Sequence, residues 1–409
     1  MKKIARFVFV LVSILIISSC RDEIPLDTFD YENYLVVEAT LSNAFKQQEI
    51  KLSRTTQLDT SFANIENNAE VYVIADETTR YDFDQTKKEG VYLSNQSFSA
   101  EAGSDYQLFI NTENGRSYTS TVVRPSNAAT ITNFYAERTI NADSIPGIQV
   151  LMDIEGGDTR FFRFEYEETY KIVSPFPSPV DFTIINYQED RDEGISFDVD
   201  TIQNPRLEEE RICYSTNYST GFNLGTSGVL NQNRLLRQPI IFIPANDPKI
   251  QERYSVLGKV YTQNISSYTF YQNLDELSTN DDLLSQKQPG FIAGNMSSIN
   301  GNSENVLGFF DVAIETEQRI YFNYSDFDFQ EPPYFYDCNT IKLDYLDNTV
   351  LDRNPNQREE IYSLLISGKY NIYRRFNFGP QENTYILISD LCSDCTTFSS
   401  NEKPAFWKD

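Results

Sequence analysis

Five cysteines and the complete absence of histidine define the chemistry open to this chain. Without histidine there is no Ser-His-Asp or Cys-His nucleophile, no histidine general base, and none of the usual catalytic zinc or haem ligand sets. Carboxylates remain, since 60 residues are acidic, and a glycosidase needs two of them about 5 to 9 Å apart across a cleft. No stretch favours a particular pair. We therefore expect a protein that is not an enzyme, with a carboxylate-only hydrolase on extracellular polymers as the less favoured alternative.

Four of the cysteines, Cys213, Cys338, Cys392 and Cys395, are candidates for two disulfides. Three connectivities are possible for four cysteines in an exported protein. The Cys392-Ser-Asp-Cys395 spacing is also compatible with a redox pair or part of a zinc site, but a redox pair needs a βαβ setting and zinc thiolates suit reducing compartments better. We predict that Cys213 and Cys338 each bridge to one member of this pair and so tie the C-terminal segment to the body.

Other motifs that bind cofactors are scarce. The sequence has no P-loop, no glycine-rich dinucleotide turn and no EF-hand loop. The oxygen-rich stretches Ser325–Gln330 and Asn280–Asp282 carry the ligands that calcium prefers, although exposed loops often have the same composition. We predict no cofactor and no metal site, with calcium left open.

The first twenty residues predict a lipid anchor. Basic residues precede an apolar run of eleven residues, Phe7–Ile17, which is too short for a helix that spans about 30 Å of hydrocarbon. The small pair Ser18-Ser19 before Cys20 completes the pattern of a removed export signal and resembles a bacterial lipobox. We expect residues 1–19 to be cleaved as a lipoprotein signal peptide, Cys20 to carry the lipid, and residues 20–33 to form the tether.

Charge and the residues after Cys20 indicate where the protein is anchored. The chain has 34 basic against 60 acidic residues and a formal net charge of −26, which repels nucleic acid and anionic membrane surfaces. The acidic pair Asp22-Glu23 resembles the signal that sends lipoproteins of Bacteroidota across the outer membrane. We predict a lipid-anchored protein at the cell surface that has no nucleic-acid partner.

Alternating apolar and polar residues predict that the chain is mainly β. Tyr34–Leu41 opens a series of short strands, and the runs Asp105–Asn111 and Ser117–Val123 flank Asn114-Gly115, a dipeptide that accepts positive φ at both turn positions of a hairpin. About seven such runs occur within roughly a hundred residues. They predict an immunoglobulin-like β-sandwich over residues 34–126.

Residues 127–409 predict a larger β-rich domain with one or two short helices. The segments Val306–Ala313 and Arg319–Asn323 have the pattern of a strand pair. One helix is expected near 266–278, with Ser266 as its N-cap. Apolar residues at three-residue steps mark this helix: Ile265, Tyr268, Tyr271, Leu274 and Leu277.

Several short motifs resemble a family of Bacteroidota lipoproteins catalogued as domain of unknown function 4249. They include Val36-Val-Glu-Ala39, Arg211-Ile-Cys-Tyr214, Ile292-Ala-Gly-Asn295, Val306-Leu-Gly-Phe-Phe310, and the ending Cys392-Ser-Asp-Cys395 with Lys403-Pro-Ala-Phe-Trp407. The resemblance runs over nearly the whole mature chain, and the ending is its most specific part. Phe398-Ser-Ser400 departs from the family, because many members carry Gly-Gly there.

The resemblance implies a partner rather than a reaction. The family has no established activity, and its members are typically encoded beside TonB-dependent outer-membrane receptors. We therefore expect a surface-exposed lipoprotein of the outer membrane that acts as a non-catalytic accessory, or ligand-capture partner, of a TonB-dependent transporter. A structural or adhesive surface protein is the alternative.

Overall fold

A computed structural model describes residues 33–56, 64–191, 194–279, 292, 294–299, 305–344, 356–376 and 384–409. The described residues form 22 strands and four helices, so the prediction of a mainly β fold is confirmed. Cys20 and its flanking residues lie outside the described part of the chain. None of the helices described is both long and apolar enough to cross a bilayer.

The strands are β1 (Leu35–Ser42), β2 (Glu49–Arg54), β3 (Asn64–Ile65), β4 (Glu70–Ala75), β5 (Thr79–Gln85), β6 (Val91–Ser94), β7 (Tyr106–Asn111), β8 (Ser117–Ser120), β9 (Thr130–Ile140), β10 (Pro146–Glu155), β11 (Phe161–Val173), β12 (Val180–Asp190), β13 (Gly194–Gln203), β14 (Ile212–Tyr218), β15 (Asn223–Thr226), β16 (Arg234–Pro244), β17 (Tyr254–Gln263), β18 (Met296–Ser298), β19 (Val306–Phe322), β20 (Ile341–Asp344), β21 (Tyr370–Phe376) and β22 (Thr384–Ser389). The helices are α1 (Leu207–Arg211), α2 (Ile265–Thr279), α3 (Asn356–Ile366) and α4 (Asp390–Ser393).

The N-terminal strands form a sheet that folds over a single core. The order β1-β2-β6-β5-β4-β7-β8 runs through one sheet. Inward residues from both halves of this path, such as Leu35 and Ile50 from one and Val73 and Leu108 from the other, share one hydrophobic cluster. Two opposed layers with alternating inward residues agree with the predicted immunoglobulin-like sandwich.

Later residues complete this sandwich. The first half of β19 pairs parallel to β1, and β18 pairs with β8. The second half of β19 pairs with β17, so one strand belongs to both halves of the protein. The strand pair predicted at Val306–Ala313 and Arg319–Asn323 is therefore wrong: the segment between them contains no Gly or Pro turn and changes its pairing partner without changing direction.

Two of the motifs quoted for the family resemblance pack against each other: the segment before β18 that contains Gly294 and Asn295, and the start of β19. A Cβ at Gly294 would lie 1.7 Å from the carbonyl oxygen of Gly308. Next to it, the side-chain amide of Asn295 donates to the carbonyl of Phe310 and accepts from its N–H, each at 2.8 Å. Glycine at 294 and asparagine at 295 thus hold the segment before β18 against the start of β19.

The remaining described residues form two further cores. In the second, the β16-β10-β9 sheet packs on β11 and β17, around residues such as Phe162, Ile148 and Val256. In the third, the β12-β13 hairpin, α3 and the β20-β22-β21 sheet enclose Ile361 and Leu387.

The hairpin between β7 and β8 forms where it was predicted, but with a different turn. Gly115 has φ +80° while Asn114 does not have positive φ. The N–H of Gly115 donates to the carbonyl of Thr112, and the N–H of Thr112 donates to the carbonyl of Arg116. This is a three-residue loop in which the last residue is left-handed, so only the glycine needs positive φ.

Helix α2 is present where a helix was expected, but its cap and its buried face differ from the prediction. The side chain of Asn264, not that of Ser266, accepts the N–H of Ser267 at 2.9 Å. Ile265 is exposed, whereas Phe270 is buried. Residues at three-residue steps drift by about 60° per step around a helix of 3.6 residues per turn, so the predicted row does not stay on one face.

Candidate functional site

A groove of about 760 Å³ lies between helix α2 and the outward face of β1, β2 and the start of β19. Its lining comes from strands in the N-terminal sandwich and from a helix and loops that follow β14. The lining residues are Val36, Val37, Glu38, Ala39, Thr40, Lys46, Glu49, Lys51, Phe222, Phe270, Tyr271, Leu274, Ile292, Leu307, Gly308 and Phe309. A volume in this range suits a small-molecule ligand.

Strand alternation explains why these residues meet. In β1 the odd-numbered residues Leu35 to Leu41 face the sandwich core, so Val36 and Glu38 face outwards. Parallel pairing sets Leu307 beside Val36 and Phe309 beside Glu38. The outward face of the sandwich therefore continues onto β19 and forms the floor of the groove.

Aromatic rings form the wall opposite this floor. Phe270 on α2 contacts Phe309 on β19, with ring centroids 5.1 Å apart. Phe222, from the loop before β15, packs against Tyr271 at 5.2 Å. Leu274 follows one turn further along the helix and is half-buried. This end of the groove is apolar and holds its shape through contacts between its own side chains.

The mouth of the groove carries charges of both signs. Lys51 lies opposite Glu38 in the β1–β2 register. Its ammonium is also 3.4 Å from the carboxylate of Glu49. Lys46 completes the set, and all four side chains are exposed. Among the described residues, two positive and two negative groups thus surround the opening.

A buried polar cluster lies beneath α2, next to the groove. The guanidinium of Arg163 forms an ion pair with Glu165 and lies 5.2 Å from the centroid of the Tyr271 ring. The amide nitrogen of Gln263 donates to Oδ2 of Asp311 at 3.4 Å. Oε1 of Gln263 and Oδ1 of Asp311 are buried without a hydrogen-bond partner in the part of the chain that the structure describes. Packing of α2 on the sheet buries Gln263 and Asp311 fully, whereas the Glu165 side chain stays 35% exposed.

Burial determines the protonation states in this cluster. Burial raises the pKa of Tyr271 to about 12, so its hydroxyl keeps its proton at physiological pH. Burial also raises the pKa of Asp311 above its usual range, although the nearby Arg163 opposes this shift. The Tyr271 hydroxyl is 3.5 Å from that of Thr40, and both residues line the groove. Tyr271 therefore presents a neutral, polar group where the cluster meets the groove.

The cysteines predicted to pair do form two disulfides. Cys213 bonds to Cys395, and Cys338 bonds to Cys392. Each cysteine outside the pair thus bridges to one member of it, as predicted. The two bonds tie the C-terminal segment to β14 and to the loop before β20, and they do not contribute to the groove.

Of the two stretches considered for calcium, the structure describes only Ser325–Gln330, and this stretch does not gather metal ligands. In Ser325–Gln330, the carboxylate of Asp326 accepts the N–H of Asn323 and caps a short 3₁₀ turn. No group of three or more acidic or cysteine side chains is placed to hold a metal in the part of the chain that the structure describes. Asn280–Asp282 lies outside that part.

Sequence reasoning did not identify the groove. Its residues come from segments up to about 270 positions apart, joined by the parallel β1–β19 pairing. One signal was available for the polar cluster beside the groove, because Asp311 interrupts the otherwise apolar run Val306–Ala313. A lone acid in a buried strand requires partners, and in this fold Gln263 and Arg163 lie beside it.

A comparison with protein families adds an independent assignment. A family model described as Domain of unknown function (DUF4249) matches residues 21–319. The chain belongs to the DUF4249 family. The match ends within β19, so it includes the groove but not the terminal cysteines or Lys403-Pro-Ala-Phe-Trp407, and it is shorter than the resemblance drawn from the motifs.

Comparisons with individual proteins add nothing about ligands. None of the curated proteins matches this DUF4249 chain. Among solved structures, the collagen adhesin (CNA) from S. aureus has 8% sequence identity over 71% of this chain and 94% of that chain, with a TM-score of 0.09. A likeness this weak carries no argument about fold or function.

Proposed function

We propose that this DUF4249 protein is a lipid-anchored, surface-exposed lipoprotein of the outer membrane that binds a ligand and serves a TonB-dependent transporter without catalysing a reaction. The observation that carries the proposal is the groove: an open cavity with an apolar inner end and a mixed-charge mouth, built on the outward face of a sheet. Concave, mostly apolar sites with a few polar groups are the usual form of ligand sites.

The surroundings of the carboxylates support binding rather than catalysis. A glycosidase-type general acid needs a desolvated carboxyl group that faces its substrate. Glu38 and Glu49 stand exposed at the mouth, and Glu49 is paired with Lys51. Asp311 has the raised pKa that such an acid needs, but it is fully buried and is not among the residues that line the groove.

The anchor and the partner rest on the sequence. A lipid on Cys20 would confine the protein to the membrane plane and raise its effective concentration near an outer-membrane barrel. The family resemblance supplies the kind of barrel, since related lipoproteins are typically encoded beside TonB-dependent receptors. The net charge of −26 opposes binding to nucleic acid.

Co-purification tests the proposal. Outer membranes are solubilised in mild detergent, the protein is captured through a C-terminal tag, and the proteins that accompany it are identified. The matched control carries Cys20→Ala, which removes the lipid site and leaves the described fold unchanged. We expect a TonB-dependent barrel with the native protein and little or none with the control. Surface-exposed protein that never brings a barrel with it would overturn the transporter role and favour a structural or adhesive one.

A further inference from the structure

We infer that the groove takes a compact amphiphile with an apolar body and a head group that has no net charge. The inference rests on the groove being the ligand site, as proposed above, and it names the class of ligand. Three features support it: the apolar inner end, the balance of charge at the mouth, and the neutral hydroxyl between them.

The inner end has room for an apolar body, and none of the described residues that line it carries a charge. Phe222, Phe270 and Phe309 supply aromatic faces, and Leu274 and Leu307 supply aliphatic contact. Removal of apolar ligand surface from water against these side chains would provide the main part of the affinity. The volume of about 760 Å³ limits the ligand to a compact molecule and excludes a folded partner.

The charges that the described residues bring to the mouth do not favour either sign. Lys46 and Lys51 are balanced by Glu38 and Glu49, and Lys51 already interacts with one of these acids. An anionic head group would meet two local carboxylates and would be repelled by the field of a chain with net charge −26. A cationic one would be attracted by that field but would meet two ammonium groups at the mouth itself. An uncharged or zwitterionic head group avoids both penalties.

The hydroxyl of Tyr271 gives such a head group a partner. It lies at the edge of the groove beside Thr40, and its protonated state allows it to donate a hydrogen bond to an uncharged acceptor. The guanidinium of Arg163 lies beneath the Tyr271 ring and restricts the position of the hydroxyl. The polar contact is therefore preorganised before a ligand arrives.

Two dyes that differ by one sulfonate test the charge preference. N-phenyl-1-naphthylamine is neutral, and 8-anilino-1-naphthalenesulfonate has the same aromatic body with one negative charge. Binding is measured by fluorescence titration of residues 21–409, which contain the whole described fold, lack the predicted signal peptide and lipid site, and need no detergent. We expect the neutral dye to bind at least about tenfold more tightly than the anionic one.

A pair of variants on α2 locates the binding. Leu274→Trp fills the groove, and we expect it to weaken neutral-dye binding by about tenfold or more. Leu277→Trp introduces the same side chain at an exposed position that does not line the groove, and we expect a change within about twofold. Circular dichroism of both variants shows whether the fold is retained.

Neutralising the acids at the mouth tests the balance of charge. The double variant Glu38→Gln/Glu49→Gln leaves two lysines, and we expect it to strengthen binding of the anionic dye by about tenfold while the neutral dye is unaffected. Glu208→Gln/Glu209→Gln makes the same change in net charge at exposed positions on α1 and serves as the control.

The outcomes separate this inference from the proposed function. Equal binding of the two dyes, or neutral-dye binding that Leu274→Trp does not weaken, overturns the inference whatever co-purifies with the protein. A groove that binds the neutral dye as described in a protein that never captures a barrel leaves the inference in place and overturns the transporter partnership alone.

Discussion

The two disulfides close chain segments of different length, and removing them separately measures what each contributes to stability. The inner disulfide, Cys338–Cys392, spans 54 residues, and the outer disulfide, Cys213–Cys395, spans 182. In the chain-entropy account a cross-link stabilises by restricting the unfolded chain, and its effect grows with the logarithm of the loop length. These lengths correspond to about 4 kcal/mol for the inner bond and about 5 kcal/mol for the outer one.

Nesting of the two loops changes these values only slightly. With the inner disulfide intact, the loop that the outer one closes shortens from 182 to 182 − 54 = 128 residues. This shortening lowers the contribution of the outer bond by about 0.3 kcal/mol. Cys213 and Cys395 are also fully buried in the second core, so replacing them removes packing as well. We therefore expect the outer disulfide to contribute more to the free energy of unfolding.

Urea unfolding without reductant measures both contributions. The variants are Cys338→Ala/Cys392→Ala and Cys213→Ala/Cys395→Ala, compared with the unmodified chain. Circular dichroism follows the sheets, and fluorescence follows the single tryptophan, Trp407, which packs on Tyr214 next to the outer disulfide. Loss of the outer bond without a measurable change in the free energy of unfolding, or a larger loss for the inner variant, would refute the reasoning.

Two further substitutions test the packing of β19. Gly308→Ala would place a Cβ 1.9 Å from the carbonyl oxygen of Val37 at φ +100°, so we expect a loss of about 4 kcal/mol in thermal unfolding. Gly115→Ala, at φ +80° with open space around the new Cβ, should cost only about 1 to 2 kcal/mol, and equal losses would contradict the proposed clash. Asp311→Asn tests the buried acid. Burial raises the pKa of Asp311 in the folded protein above the ordinary 3.8, so the folded state holds this proton more tightly than the unfolded state does. The native chain should therefore lose stability relative to the variant as the pH rises from 3.8 through the folded-state pKa. Urea unfolding of both chains at acid and neutral pH measures this difference. If the native chain instead becomes more stable relative to the variant as the pH rises, Arg163 has a larger effect on the pKa of Asp311 than burial has.

Local patterns in the sequence were sufficient to predict strands but not their partners. The alternation in Tyr34–Leu41 reflects one buried face, and it predicts β1 almost to the residue. Nothing within that segment indicates that its neighbour is a strand about 270 residues later. Glycine at 308 is a feature of that pairing, since its backbone lies against Val37, but its role becomes visible only when both strands are in place.

The groove could not be predicted for the same reason. The floor of the groove depends on the β1–β19 register. The wall depends on which face of α2 is turned towards the sheet. Apolar residues at three-residue steps suggested a buried row that included Ile265 and Leu277, yet both are exposed. The buried side instead includes Ser267, a polar residue that apolar periodicity overlooks. Helix orientation here follows from the polar cluster beneath it as much as from apolar burial.

The shared strand β19 has a consequence for the order in which the protein can fold. Synthesis proceeds from the N-terminus, so β1 emerges long before the residues that pair with its free edge, Val306 to Ala313. Until then β1 presents unpaired backbone groups on one side, and its closure requires a contact between distant parts of the chain, which is a slow kind of step. The first domain in the sequence is therefore among the last to be completed, and a chain that stops before residue 306 leaves it with an open edge.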